Sequence, residues 1–291
     1  MKRWMISLFF LMQGLTACAL YHPKPLTVTP SFLERVPHLT VTADHLSLPE
    51  LENYPINPDD GLDMTEVAIL AVVNNHDLRT QRDGRGIARA QLLAAGVLPN
   101  PQVTAGLDHP TTSGPGLMNA FTLGLSYDFG ALVTRPAALG AARAVVDKVD
   151  WGMLWQEWQV VQKARLLFIQ ITEQEKLYRT LQQYRAILAE RYRRAAAALS
   201  EGNLTMDTVT ANLTELQAVD TRLHELNRKN RQGRHDLNAL VGVAPAIQLP
   251  LTGNVNLPDL TADQVAAALK QLPQRRPDLL ALQAGYTSQE Q

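Results

Sequence analysis

One stretch of the sequence contains almost nothing that would end a helix. Between Thr134 and Ser200 there is a single proline, Pro136, and glycine occurs only at positions 140 and 152. Proline removes a backbone donor and clashes with the preceding turn, and glycine weakens a helix, so their scarcity favours one continuous helix. At 1.5 Å per residue this helix would be roughly 100 Å long. A rod of that length needs other helices packed along it.

A short turn separates this stretch from a second helical segment. The turn, "SEGNLT", contains Gly202, which suits the left-handed position that follows a helix. Beyond it, apolar residues keep one seven-residue phase, as in helices that pack side by side: Val209, Leu216, Leu223 and Leu237. The sequence therefore predicts helices over 134–200 and 205–242 that form a long antiparallel hairpin.

The N-terminal residues have the layout of an export signal. Two positive charges precede an apolar run of about twelve residues, too short to span a bilayer, and small residues follow. We therefore expect residues 1–17 to be a signal peptide. They end in Leu15, Thr16 and Ala17 before Cys18, which resembles the lipobox of bacterial lipoproteins and implies a covalent lipid, such as palmitate, on that cysteine. The alternative is a chance cysteine in an ordinary signal.

Proline dominates the segment that follows. Seven prolines between residues 21 and 61 remove amide donors, so neither a long helix nor a central strand can run through it. We interpret residues 18–61 as an extended, lipid-anchored arm that lies along a scaffold or links it to the membrane. A disordered tether is the alternative, and the composition does not separate the two.

The first predicted helix spans residues 63–96. Asp63 can cap its free amides, with Glu66 three residues later to complete a capping box. Apolar residues then recur on one stripe, and Gly96 and Pro99 end the helix.

Two alternating stretches follow this helix and predict a β-hairpin with strands 102–109 and 119–129. Successive side chains of a strand point to opposite faces, so the second strand has one apolar and one polar face. The apolar face consists of Phe121, Leu123, Leu125, Tyr127 and Phe129. The polar face consists of Thr122, Gly124, Ser126 and Asp128. The strands approach the length that a tilted strand needs to cross a membrane, although an amphipathic hairpin in a soluble sheet alternates in the same way.

No catalytic or nucleic-acid-binding pattern stands out. The formal net charge of -1 provides no basic field for nucleic acid. The seven histidines are scattered, and none pairs with another ligand at metal-binding spacing. Trp151, Trp155 and Trp158 could stack on a ligand, but spacings of four and three favour a packing seam. We expect a protein that is not an enzyme and that needs no metal or cofactor beyond the lipid on Cys18.

The end of the chain repeats part of its beginning. After a proline-containing connector, 246–261, the stretch from 262 to 291 echoes the first helix: an Ala-rich apolar start, a polar turn, and then Asp-Leu. The pairs Asp77-Leu78 and Asp278-Leu279 lie 201 residues apart. This indicates a duplicated unit, with 62–245 as the first copy and 262–291 as the start of a second copy that is cut short.

The order of these parts resembles the TolC-like outer-membrane efflux proteins. The resemblance includes the lipobox, the proline-rich arm, "NNHDLRTQRDGRGIARAQLLAAGVLPNPQVTAGL", the hairpin, the two long helices joined at "EGNLT", "LNALVGVAP" and the "RRPDL" restart. It covers nearly the whole chain, and the lipid-anchored branch that serves multidrug and heavy-metal pumps is most similar. Two features depart from the family: His76 stands where members usually have proline, and full members carry two repeats.

The resemblance implies a fold and a set of roles. The fold would be mainly α, with a long helical hairpin that contributes to a hollow α-barrel and two strands that join an outer-membrane β-barrel. The apolar set of the second strand would face lipid and the polar set the lumen. The tip of the helical hairpin would dock on the periplasmic adaptor of a tripartite system, with an inner-membrane pump as the further partner. By position, the tip comprises Gly202, Asn203, Leu204 and Thr205, although a surface turn without a partner is the alternative.

The number of predicted strands leaves several functions open. Family members are trimers with four strands per chain, and this chain offers two. Three such chains would supply too few strands for an open pore, so a channel would need six copies or a separate chain with the second half. We therefore consider a channel subunit that passes drugs or metal ions across the outer membrane, a structural lipoprotein without a pore, and an inactive truncated fragment of an efflux channel.

Overall fold

The computed structural model describes residues 32–36, 59–109, 111, 118–253 and 259–291. In chain order its elements are α1 (Met64–Asn74), α2 (His76–Gly96), β1 (Gln102–Asp108), β2 (Ala120–Ser126), α3 (Gly130–Ser200), α4 (Met206–Val241), α5 (Ala262–Arg275) and α6 (Pro277–Glu290). The chain divides into Met1–Phe32 and Leu33–Gln291, and all these elements belong to the second unit. The predicted signal peptide, Cys18 and most of the predicted arm lie outside the described residues.

The predicted long helical hairpin is confirmed. α3 has 71 residues, about 105 Å at the rise of an α-helix, and it contacts the 36-residue α4. α3 begins at Gly130, earlier than predicted, and the Asp128 carboxylate accepts a hydrogen bond from the Ala131 amide in its first turn at 3.2 Å. Pro136 consequently lies in the second turn of α3. Within the described ranges, no helix is both long enough and apolar enough to cross a membrane.

The main hydrophobic core surrounds α1. Residues 66–72 of this helix are all buried. The apolar residues 67–72 belong to one cluster with Phe168 and Ile171 from the middle of α3 and with Leu237 and Val241 from the end of α4. Full burial of each such aliphatic or aromatic side chain contributes about 1.5–3 kcal/mol. Contacts with α1 therefore join the two long helices at this level.

The structure corrects the single helix predicted over 63–96. The chain leaves the helical conformation at Asn75, whose ψ is 125°. The buried Asn75 side chain accepts a hydrogen bond from the Leu78 amide at 3.0 Å and donates one to the Leu240 carbonyl at 3.1 Å. Asn75 thus caps α2 and ties the break to α4, an arrangement that the apolar periodicity does not reveal.

An ion pair between α2 and α3 also stabilises the break between α1 and α2. Arg82 of α2 donates from Nη2 to the carbonyl of Val72 at 2.9 Å and to Oε1 of Glu157 at 3.2 Å. The Glu157 side chain is only 3% exposed. Removing Arg82 would leave this carboxylate buried without that partner, which is costly.

The repeated stretch at the end of the chain has the same broken-helix form. Arg276 separates α5 from α6 with a ψ of 118°, as Asn75 separates α1 from α2. Each pair begins with a complete capping box, Asp63 with Glu66 and Thr261 with Gln264. Pro277 is the first residue of α6, the place that His76 holds in α2. The residues predicted to begin a second copy therefore form two helices and not one.

Gly242 ends α4 in a conformation that only glycine adopts without strain. Its φ is +75°, and a Cβ atom there would lie 2.8 Å from the Asn74 carbonyl oxygen. The Gly242 carbonyl accepts a hydrogen bond from the Leu33 amide at 3.1 Å, and Leu33 forms a parallel bridge with Val243. The close approach of three chain segments therefore depends on the missing side chain.

We predict that Gly242→Ala destabilises the fold more than Gly202→Ala does. Both glycines have a φ of +75°, but a Cβ at Gly202 would meet nothing within 4 Å. Gly202→Ala should therefore cost only the left-handed strain of about 1–2 kcal/mol, whereas Gly242→Ala adds a clash with backbone. Urea unfolding of both variants in mild detergent measures the difference. Equal losses of unfolding free energy would contradict the proposed close packing at Gly242.

Candidate membrane and docking surfaces

The β-hairpin carries one continuous apolar face. β1 and β2 are antiparallel, and Val103 pairs with Leu125, Ala105 with Leu123 and Leu107 with Phe121. Paired residues lie on the same face of a two-stranded sheet. The large members of this face are all between 68% and 75% exposed: Val103, Leu107, Phe121, Leu123 and Leu125. An exposed apolar surface of this extent is typical of a site that contacts a membrane or another protein.

The opposite face of the hairpin consists of polar residues and glycines. Thr122 and Gly124 pair with Gly106 and Thr104, and Ser126 pairs with Gln102. A Cβ atom at Gly124 would lie 2.6 Å from the Thr104 hydroxyl oxygen, so that hydroxyl occupies the space above the glycine. The predicted polar residues Thr122, Gly124 and Ser126 thus share a face, whereas their position in a lumen remains a prediction.

Three predicted residues of the second strand lie beyond its end. β2 stops at Ser126, so strand alternation does not assign Tyr127, Asp128 or Phe129 to a face. Asp128 instead caps the start of α3, which corrects its assignment to the polar face of the strand. Tyr127 and Phe129 form an edge-to-face pair with ring centroids 5.2 Å apart. Tyrosine is enriched at membrane–water interfaces, where its ring lies at the level of the lipid headgroups.

Arg135 connects the base of the hairpin to the helices, and no pattern in the sequence indicated this contact. Its Nε and Nη2 donate to the Gly96 carbonyl at 3.1 and 2.8 Å. Gly96 ends α2 just before β1, and Arg135 lies in the second turn of α3 just after β2. Because a guanidinium satisfies a free carbonyl at a helix C-terminus, this contact holds the two ends of the hairpin segment together.

The predicted tip of the helical hairpin is a regular and exposed turn. Gly202 donates from its amide to the Leu199 carbonyl, and Asn203 to the Ala198 carbonyl, with Gly202 in the left-handed conformation. This pattern is a Schellman motif. Leu204 is 37% exposed, and Gly202, Asn203 and Thr205 are exposed. The four residues form one surface, and their role in docking remains a prediction.

α3 has a second apolar side besides the one that faces the core. From Trp151 onwards, its exposed large apolar residues are spaced by 7, 8, 11, 7 and 3, close to whole helical turns. They form what we call the outer stripe: Trp151, Trp158, Leu166, Leu177, Tyr184 and Ile187. The buried residues of the same stretch, such as Ala164, Phe168 and Ile171, fall between these positions. A helix with apolar residues on two sides is typical of one that packs between neighbours.

Ion pairs fix α4 against the tip half of α3. The Arg185 guanidinium donates to both carboxylate oxygens of Asp220, and the Tyr184 hydroxyl donates to Oε1 of Glu215 at 2.7 Å. The hydrogen bonds from Arg185 lower the pKa of Asp220 below its usual value. The hydrogen bond to Glu215 raises the pKa of Tyr184. Because these contacts are exposed, each of them stabilises the packing of the two helices only modestly.

A groove separates α5 from α3. It has a volume of about 580 Å³ and is lined mostly by apolar side chains, including Ala268 and Leu272 of α5. The Trp155 and Trp158 rings stack on the α3 side with centroids 5.0 Å apart, and the Arg276 guanidinium lies 5.2 Å from the Trp155 ring. Within the described ranges, no three His, Cys, Asp or Glu side chains converge as they would around a metal ion.

Solved structures of outer-membrane channels share this fold. The outer-membrane channel OprN matches with a TM-score of 0.65 and 17% identity over 77% of this chain and 53% of OprN. The CmeC outer membrane channel of Campylobacter jejuni matches with a TM-score of 0.65 and 17% identity over 89% of this chain and 60% of CmeC. CusC, whose crystal structures concern folding and transmembrane channel formation, matches with a TM-score of 0.54 and 18% identity over 93% of this chain and 62% of CusC. No protein-family model matches the sequence, and no curated protein matches it.

These likenesses define the class of fold. The chain is mainly helical with one antiparallel strand pair and has the fold of the TolC-like outer-membrane channels, as the sequence resemblance predicted. It spans between about half and three fifths of the length of the channels it matches, 53% to 62%.

We predict that acid weakens the tip half of the hairpin through Asp220. Because its folded-state pKa is below the usual value of 3.8, its stabilising effect is complete above that value and is lost as the pH falls through the folded-state pKa. The hydrogen-exchange protection of residues 184–220, measured relative to the intrinsic exchange rate at each pH, should therefore fall below about pH 4. Asp220→Asn should reduce this pH dependence but not abolish it, because hydrogen bonding to Arg194 also lowers the pKa of Glu190 in the same segment. Asp83→Asn on α2 is the matched control. An unchanged acid response in Asp220→Asn would contradict the assignment.

Proposed function

We propose that this chain is a subunit of an outer-membrane efflux channel. Its β-hairpin would form part of a barrel wall in the outer membrane, and its helical hairpin would extend into the periplasm. The observation that carries the proposal is the apolar face of the hairpin, where Phe121, Leu123 and Leu125 are 70%, 68% and 75% exposed. Such a face is unfavourable in water and favourable against lipid, and a barrel pairs the outer edges of both strands.

The helical part supports the same proposal. A hollow barrel of helices requires each helix to contact neighbours on two sides, and α3 has both a core side and the outer stripe. Its continuous length also provides the reach that a periplasmic conduit needs. The solved proteins that share this fold are outer-membrane channels, which favours the same location for this chain.

The proposed partners follow from this geometry. The exposed turn at Gly202–Thr205 would contact a periplasmic adaptor, and an inner-membrane pump would supply the energy for export. The chain itself would perform no chemical step, so its function needs no catalytic group. Drugs and metal ions both remain candidate solutes, because Thr122, Gly124 and Ser126 provide no charged or soft ligand that would select one of them.

Conductance in planar bilayers separates the channel from its alternative, a lipoprotein that spaces or docks without a pore. Protein extracted from outer membranes in mild detergent should produce discrete conductance steps if it forms a channel. Stable membrane association without any conductance would instead support the structural lipoprotein.

We predict that Leu123→Arg releases the hairpin from the membrane. A cationic side chain on the lipid face of a barrel costs about 2–4 kcal/mol near the midplane, whereas the same change on the lumen side is tolerated. Thr122→Arg, on the opposite face of the same strand, is the matched control. Retention in outer membranes after an alkaline carbonate wash is measured in a Cys18→Ala background, so that no lipid anchor contributes. Equal retention of the two variants would contradict contact between this face and lipid.

We predict that Cys18→Ala abolishes acylation and weakens membrane association. The acyl chains of a lipoprotein add about 0.8 kcal/mol of membrane affinity per buried CH₂ group. Labelled palmitate should enter the wild-type protein and a Thr16→Ser variant, which keeps a small residue before the cysteine. Label that persists in Cys18→Ala would contradict the lipobox.

A further inference from the structure

The strands of the hairpin are shorter than a membrane is thick. β1 and β2 have seven residues each, whereas a tilted strand needs about nine to eleven residues to cross a bilayer. Seven residues extend about 23 Å along the strand, or about 16 Å across a membrane at a tilt of about 45°. The apolar band of an outer-membrane barrel is about 25 Å tall. If the hairpin lies in the outer membrane, residues beyond its strand ends must therefore also contact lipid.

Exposed apolar side chains follow both strands at the end that is joined to the helices. They come from the last turn of α2, from the first turn of α3 and from the residues that connect these helices to the strands. We call this set the collar: Leu93, Val97, Leu98, Phe129, Leu132 and Val133. Leu93 and Val133 are 75% and 81% exposed, and each lies about 5 Å along its helix from the helix end. The apolar surface of the strands thus continues onto both helices.

The charges of α2 and α3 next to the collar are positive. Apart from Asp128, which caps α3, the acidic residues of these two helices nearest to the strands are Asp83 and Asp147. They lie about 20 and 26 Å from the helix ends, whereas Arg89 and Arg135 lie within about 11 Å of them. Arg89 is exposed and has no hydrogen-bond or ion-pair partner in the described part of the chain. Its guanidinium is therefore free to bind an anion.

A leaflet of phospholipid matches this order of apolar and cationic residues. Lipid hydrocarbon is followed directly by a headgroup layer about 5–8 Å thick that carries the phosphates. On α2 the apolar Leu93 comes first from the strand side, and Arg89 follows one turn further away. An arginine at such a position places its alkyl stem along apolar surface and its charge among the phosphates. A helix packed on the collar would account for the apolar residues but not for the excess of positive charge.

We infer that the lipid contact of this protein extends past the strands onto the ends of α2 and α3. The collar lies in the hydrocarbon of the leaflet that faces the periplasm, and Arg89 binds phosphate groups of its phospholipids. This inference rests on the proposed function, because it requires the hairpin to lie in the outer membrane. The boundary between hydrocarbon and headgroups then crosses the two helices and not the ends of the strands.

Fluorescence quenching by lipids tests the position of the collar. Whole chains with Cys18→Ala and one new cysteine, Val133→Cys, Ile187→Cys or Leu123→Cys, are labelled with a fluorophore. They are reconstituted in vesicles of phosphatidylcholine and phosphatidylglycerol that contain a nitroxide-labelled lipid. We expect several-fold stronger quenching at position 133 than at position 187, an equally apolar and 65% exposed control about 80 Å further along α3.

The label at position 123 separates this inference from the proposed function. Quenching at position 123 without quenching at position 133 would overturn the inference and leave the hairpin in the membrane. A label at position 133 that is shielded from water but not quenched by lipid would identify a protein contact and would overturn it equally. Absence of quenching at both positions would contradict the proposed function as well.

Vesicle flotation at low salt tests the phosphate contact. Arg89→Gln should weaken partition into vesicles that contain phosphatidylglycerol about fivefold, since one basic residue near an anionic surface contributes about that factor. The loss should be much smaller in vesicles of phosphatidylcholine alone. Arg179→Gln, at an exposed position of α3 far from the strands, is the matched control. Equal partition of the two variants into the anionic vesicles would overturn the assignment of Arg89 to the headgroup layer.

Discussion

The packing of α1 against the middle of α3 is the contact on which the rest of the structure depends. Helix propensity alone does not stabilise α3, because most of the stability of a helix in a protein comes from packing against other elements. The fully buried Phe168 and Ile171 join it to α1, and Leu237 and Val241 bring in the end of α4. From this level the hairpin extends towards its tip in one direction and the β-strands in the other. Asn75 and Gly242 then fix the backbones where the three helices meet.

The sequence predicted the features that depend on periodicity and on the scarcity of helix breakers. The long helices, the strand pair and the exposed turn at Gly202 all follow from such local patterns. Features that depend on one side chain reaching a distant backbone group were missed. Asn75 ends α1 by bonding to Leu240, and Arg135 binds the carbonyl of Gly96. Asp128 continued the polar–apolar alternation of the strand, yet its carboxylate accepts a hydrogen bond from the first turn of the following helix.

The candidate surfaces were more predictable than their partners. Alternation alone placed Leu123 and Thr122 on opposite faces, and the register of the hairpin agrees. The second apolar side of α3 was hidden in the sequence, because residues such as Leu166 and Leu167 are adjacent and only the fold shows which of them is buried. What each surface touches depends on copies, lipids or proteins that lie outside a single chain, and local sequence carries little information about them.

The continuity of α3 has a mechanical consequence. One helix runs without interruption from the residue after the strand pair to the turn at the tip, and its only internal proline lies near the strand end. A stiff rod has no hinge at which its two ends can be uncoupled. A rotation imposed on the tip by a bound partner would therefore reach the base of the strands as a tilt of the same helix. Movement at the tip could therefore be coupled to the strands by rigid-body motion of α3 alone, without a series of side-chain rearrangements along it.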